Sequence, residues 1–137
     1  MSAEYFLDTN LLVYAFDRRD ERKRSRALEL SALEEPWVIS WQIVQEFSSV
    51  ALHRFPTPLP PEILTEYLDV FLLPHCAIYP SASVYRQALH IHRETQYRYY
   101  DCLVVAAALS AGVSVLYSED LQHGRRFGGM QIINPFV

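Results

Sequence analysis

Tyr99-Tyr100-Asp101-Cys102-Leu103-Val104-Val105-Ala106-Ala107-Ala108-Leu109-Ser110-Ala111-Gly112-Val113-Ser114-Val115-Leu116-Tyr117-Ser118-Glu119-Asp120 is the stretch that decides the fold. An acid, Asp101, heads an apolar run that is too long for one strand and ends at Ala111, and Gly112 supplies the stop expected after a helix. Val113, Val115 and Leu116 then read as a buried strand, and Ser118, Glu119 and Asp120 lie at its carboxyl end. A buried helix feeding a buried strand is the repeating half of a parallel α/β unit.

Working outward, the same alternation recurs. Upstream, Ala82 to Thr95 reads as a helix, Ala77 to Tyr79 as a strand and Glu62 to Leu73 as a helix. Phe55 to Pro61 holds four prolines and must be a loop. Trp41 to about His53 carries Ile43, Val44, Phe47, Val50 and Ala51 on one helical face, with Ser40 placed to cap it after a brief strand, Trp37 to Ile39. Asp20 to Leu33 is a further helix, ended by Pro36. At the start of the chain, Tyr5, Phe6 and Leu7 form a short strand that stops at Asp8, and Asn10 to Phe16 resumes as a helix. Downstream, Gly124, Gly128 and Gly129 loosen the chain before a last strand near Gln131 to Ile133. The expected architecture is α/β, with a mainly parallel sheet covered on both faces and one domain over residues 1–137.

Half of the residues are hydrophobic and a fifth are charged, which excludes wholesale disorder. The net charge of −4 excludes a domain that grips nucleic acid through its overall field, so a polyanion would have to be bound locally. The basic residues Arg18, Arg19, Arg22, Lys23, Arg24 and Arg26 cluster, but Asp17, Asp20 and Glu21 interrupt them, as on an ordinary solvated helix. Cys76 and Cys102 match no zinc spacing and no Cys-x-x-Cys motif, so free thiols in a reducing compartment are expected. No basic leader with an apolar core and no apolar run of about 18 residues marks the chain for export or a membrane, and a cytoplasmic location is expected.

Ligand sites in open parallel sheets form beyond the carboxyl ends of the strands. Asp8 and Asp120 fall there, Asp101 sits at a helix start, and Glu46 shares a helix with Gln42 and Gln45. Each acid has an ordinary role open to it: Asp8 or Asn10 as a cap, Glu46 as a surface residue, Asp101 as a partner of the helix dipole, and Ser118-Glu119-Asp120 as a cap for a short helix. Glu119 also rivals Asp120 as the acid that faces the site. Gathered together, four carboxylates would repel one another unless a cation neutralised them. An oxygen-only set favours Mg²⁺ or Mn²⁺ over Zn²⁺, and the chemistry expected of such a site is phosphodiester hydrolysis.

Four segments resemble the PIN domain family, and particularly its VapC-like ribonuclease toxins. They are Phe6-Leu7-Asp8-Thr9-Asn10, Gln45-Glu46-Phe47, the run from Tyr100 to Ala108, and Leu116-Tyr117-Ser118-Glu119-Asp120-Leu121. The resemblance implies a three-layer α/β/α sandwich with Asp8, Glu46, Asp101 and Asp120 holding Mg²⁺ or Mn²⁺, positioned by Thr9, Asn10 and Ser118. It implies an endoribonuclease that pairs with an antitoxin and forms a homodimer. Cys102 stands where the family often has a small residue, and Ser118 where it often has Thr. Arg18, Arg98 and Arg125, with Arg19, Arg93 and Arg126, are the candidates for contacting RNA phosphates around an acidic pocket. Pro58 to Leu73 is either core or an apolar groove for an antitoxin helix, with core contact the expected role.

The competing expectation is a PIN-like domain that binds RNA or protein without cutting. A phosphatase, or a phospho-accepting receiver, would also place Asp at strand ends. The receiver wants a late lysine, and none follows Lys23.

Overall fold

The computed structural model describes residues 4–137. Six strands, β1 (Tyr5–Leu7), β2 (Trp37–Ser40), β3 (Cys76–Ile78), β4 (Val115–Tyr117), β5 (Arg126–Phe127) and β6 (Met130–Ile133), form one sheet in the order β3-β2-β1-β4-β6-β5. Every pairing is parallel except β5 with β6. Helices α1 (Thr9–Tyr14) and α2 (Glu21–Leu30) connect β1 to β2. Helix α3 (Trp41–His53), then α4 (Pro61–Tyr67), a π-helical segment (Leu68–Leu72) and a last turn α5 (Leu73–His75), connect β2 to β3. Helices α6 (Ala82–Thr95) and α7 (Tyr99–Ser110) connect β3 to β4.

The strand order assigns the layers. From β1 to β2 to β3 the chain steps one way along the sheet, and from β3 to β4 it returns past β1. Because parallel crossovers are right-handed, opposite steps put their helices on opposite faces. Thus α1 to α5 cover one face and α6 with α7 the other, giving the three-layer α/β/α sandwich. The order reverses between β1 and β4, which is the switch point where open sheets part to leave a crevice.

Helix α7 is buried from Cys102 through Ala108, around its whole circumference, because it lies between α6 and the sheet. Ala106, Ala107 and Ala108 add no bulk that would hold those layers apart. Gly112 follows at φ +75°, the left-handed conformation that turns the chain from α7 into β4. On the opposite face, rings of Phe16, Phe47, Phe55, Tyr67 and Phe71 pack together, joining α1, α3 and the α4 segment. Leu64 and Leu72 are buried there, so the Pro58–Leu73 segment does contribute to the core, although Ile63 and Val70 are exposed. Tyr67, which looks exposed from the sequence, is half-buried, and burial pushes its phenol up to about 12.

Several boundaries differ from expectation for identifiable reasons. Helix α2 stops at Leu30, well before Pro36. The Ser31 hydroxyl donates to the Ala27 carbonyl (2.8 Å), and the Trp37 indole N–H donates to the Ala32 carbonyl (2.8 Å), which bends the intervening residues into a turn. Ser40 begins α3 without a side-chain capping bond, and its buried hydroxyl has no partner. The π-helical segment ends two residues before Pro74, whose missing N–H removes the bond to the carbonyl four residues back. Strand β5 was too short to read from periodicity. It pairs back on β6 across Gly128-Gly129, where Gly128 takes the positive φ (58°) that a two-residue hairpin needs.

Candidate active site

Beyond the carboxyl ends of β1 and β4 lies an open crevice of about 860 Å³, whose walls include Asp8, Glu46, Asp101 and Asp120. The sheet itself fixes two of its corners. The Asp8 N–H donates to the Tyr117 carbonyl (3.0 Å) and the Ser118 N–H to the Ile133 carbonyl (3.0 Å), so both residues extend the β ladders by one step.

Asp8 caps α1, and this ordinary role coexists with its place in the crevice. One carboxylate oxygen accepts from the Thr9 N–H (2.8 Å) and the other from the fully buried Ser118 hydroxyl (2.7 Å). The Thr9 hydroxyl donates to Glu46 (2.7 Å), tying the end of β1 to α3. Gln42, one turn before Glu46, donates to its other oxygen (3.4 Å) and to the Tyr100 carbonyl (3.0 Å), which brings α3 against the start of α7. Asn10 donates to Asp120 (3.3 Å). The buried oxygens of the Asn10 and Gln42 amides, by contrast, have no partner.

Glu119, the rival of Asp120, is held elsewhere. It accepts from the Tyr14 hydroxyl (2.5 Å) and pairs with the Lys23 ammonium. Asp120 is the one of the two that lines the crevice.

The electrostatics are those of acids that no side chain pairs with: Arg19, Arg54 and Arg98 line the crevice, but none forms an ion pair with the four carboxylates among the described residues. Burial pushes the Asp8 carboxyl from 3.8 up to about 6, with Glu46 and Asp120 adding to the rise and the bonds from Ser118 and Thr9 opposing it. Asp101 is also raised, first by burial and then by Asp120 and Glu46, while Arg98 acts against the rise. Among the described residues no three acidic, histidine or cysteine side chains already form a closed ligand cluster. The carboxylates instead stand as walls around open space, which suits a hard cation that keeps part of its water shell. An all-oxygen donor set with raised carboxyls and spare amide oxygens fits Mg²⁺ or Mn²⁺.

Of the arginines singled out in the sequence, Arg98 lines the crevice, with Arg19 beside it. Arg18 lines a neighbouring cavity. Arg125 turns away, bonding Gln122 (3.3 Å) and lying over the Phe127 ring, and Arg126 bonds Gln131. Arg93, on exposed α6, is not among the lining residues. Sequence reasoning missed Arg54, which closes α3 and lines the crevice two turns beyond Glu46. The available signal was the polar stripe Gln42, Glu46, Ser49 and Arg54 down one side of that helix.

The sandwich and its carboxylate-walled switch point define an α/β domain with an acidic crevice at the carboxyl edge of its sheet. More particularly, the chain belongs to the PIN domain family, whose model matches residues 5–126. A comparison with curated protein sequences finds no significant match. Among solved structures, the chain is similar to FitAcB from Neisseria gonorrhoeae (TM-score 0.66, 21% identity, covering 96% of this chain and 98% of that one). It is similar to a toxin–antitoxin complex from Klebsiella pneumoniae (TM-score 0.65, 19% identity, 96% and 98% covered). A third similar structure is VapC20 from Mycobacterium tuberculosis, described as a sarcin–ricin-loop-cleaving toxin (TM-score 0.63, 20% identity, 85% and 90% covered). At these identities the likeness establishes the fold.

Proposed function

We propose that this chain is a metal-dependent endoribonuclease, the toxin of a toxin–antitoxin pair, acting in the cytoplasm. The observation that carries the reading is the meeting of Asp8, Glu46, Asp101 and Asp120 from four separate segments at one switch point, with Asp8 and Asp101 raised by burial and mutual repulsion. Membership of the PIN family and the toxins among the similar structures support it.

In this mechanism Asp8, Asp101, Asp120 and Glu46 hold Mg²⁺ or Mn²⁺. A divalent cation held there would neutralise the acids and supply Lewis-acid chemistry for attack of water on the scissile phosphate. The protein's own part is positioning. Ser118 and the Thr9 N–H fix both oxygens of Asp8, Thr9 and Gln42 fix those of Glu46, and Asn10 steers Asp120. Arg98 and Arg54, at the crevice walls, take the phosphates flanking the cut. A homodimer and an antitoxin that covers the crevice complete the proposal. Cleavage of cellular RNA by the purified protein with Mn²⁺, abolished by EDTA and by Asp101→Asn, is the expected result. A metal-loaded protein that leaves all RNA intact would leave the non-cleaving binding domain as the better reading.

A further inference from the structure

A second cavity, of about 390 Å³, opens beside the acidic crevice and shares a wall with it through Val13, Asp17, Arg19, Val50 and Arg54. Its chemistry is the reverse of its neighbour's. The floor is aromatic: the rings of Phe16 and Phe55 lie 5.5 Å apart, tilted by 34°, and Phe16 keeps 37% of its surface exposed. The rim is cationic. Arg19 is paired with Asp17, but the guanidinium groups of Arg18 and Arg54 make no hydrogen bond or ion pair within the described residues.

A partly exposed aromatic surface bordered by uncommitted arginines offers a nucleotide a ring to stack on and fixed positive charge for its phosphate. In a chain of net charge −4, three arginines, Arg18, Arg19 and Arg54, line this one cavity, with Asp17 the single acid among them. The cavity is at the small end of ligand pockets, a size suited to a single nucleotide unit and too compact for a helix. We propose that it is a subsite for the nucleotide next to the cleaved bond, the base resting on Phe16 and Phe55 and the phosphate held by Arg54 and Arg18. The inference rests on the ribonuclease reading for its substrate, and its binding test is independent of cleavage.

The four nucleoside 5′-monophosphates, titrated into the metal-free protein in EDTA, are the probe, read by NMR at the Phe16 and Phe55 rings and the Arg54 guanidinium. The expected result is saturable shifts at those three residues, abolished by Thr57→Trp, which fills the cavity mouth from an exposed position. In cleavage assays Arg18→Ala and Thr57→Trp, both outside the acidic crevice, are expected to lower kcat/KM about tenfold through KM, the size of one lost stacking or phosphate contact. Absence of shifts, or shifts that survive Thr57→Trp, overturns the subsite, and the cavity then falls to a peptide partner. Nucleotide shifts at the cavity in a protein that cuts no RNA would overturn the ribonuclease reading and the cavity's place beside a cleaved bond, leaving a nucleotide-binding cavity only.

Discussion

Glu119 and Asp120 are adjacent in sequence and stand in opposite environments. Glu119 belongs to a closed cluster in which Tyr14 donates to it, Lys23 pairs with it, and the Lys23 ammonium also lies 4.7 Å from the Tyr14 ring centroid. Its charge is answered within the chain. Asp120 turns into a crevice where Asp8, Glu46 and Asp120 receive hydrogen bonds from Ser118, Thr9, Gln42 and Asn10, and none of the four carboxylates has an ion pair among the described residues. The difference teaches how to tell a structural acid from a functional one here. The fold answers the first with an ion pair and leaves the second without one. Burying that unpaired charge costs stability, and on the proposed nuclease reading the crevice uses it when metal and phosphate bind.

The contrast breaks most visibly in catalysis. Asp101→Asn removes a charged ligand and is expected to lower kcat/KM on the order of a thousandfold, equivalent to several kcal/mol of transition-state stabilisation. Activity surviving that change would remove the crevice from the chemistry.

The next largest effect is on the metal-free protein. The folded Asp8 carboxyl titrates near 6 rather than 3.8, so it holds its proton to higher pH than the unfolded chain does. Its contribution to stability is therefore fully present below about 3.8 and is lost as pH rises through about 6, a change of up to about 3 kcal/mol. Urea unfolding in EDTA across this range should show the decline for the wild type and a flatter profile for Asp8→Asn. An unchanged slope in the variant would contradict the assignment of the decline to the buried Asp8 carboxyl.

Ser118→Ala leaves every acid in place but removes the hydroxyl that fixes Asp8, and should weaken metal affinity or activity by about 10- to 100-fold. The smallest expected effect lies on the other side of the comparison. Glu119→Gln should cost about 1 kcal/mol in thermal or urea unfolding, since the pair is only partly buried, and should leave kcat/KM within about twofold.

The sequence was legible where a single physical cause dominates. The run from Asp101 to Leu116 could only be a buried helix followed by a buried strand, and the ends of β1 and β4 followed from where their apolar runs stop. Strand order was not legible, because periodicity identifies strands without saying which pair. The switch point between β1 and β4 became visible only with the topology. Glu119 and Asp120 were indistinguishable because the turn after β4 imposes no repeat, and the deciding partners, Tyr14 and Lys23, lie more than 90 residues away. Arg54 was passed over for a similar reason. Its value comes from the crevice and the Phe16–Phe55 floor that the loop after α3 folds against, whereas Arg125, equally basic, is turned aside by Gln122 and Phe127.

The most direct test is calorimetric titration of Mn²⁺ into the EDTA-treated, desalted protein near pH 6, beside Asp8→Asn and Glu119→Gln. The account predicts saturable binding by the wild type and by Glu119→Gln, accompanied by proton release as the partly protonated Asp8 ionises, and loss of that binding in Asp8→Asn. Equal binding by Asp8→Asn, or no binding by the wild type in the millimolar range, would contradict it.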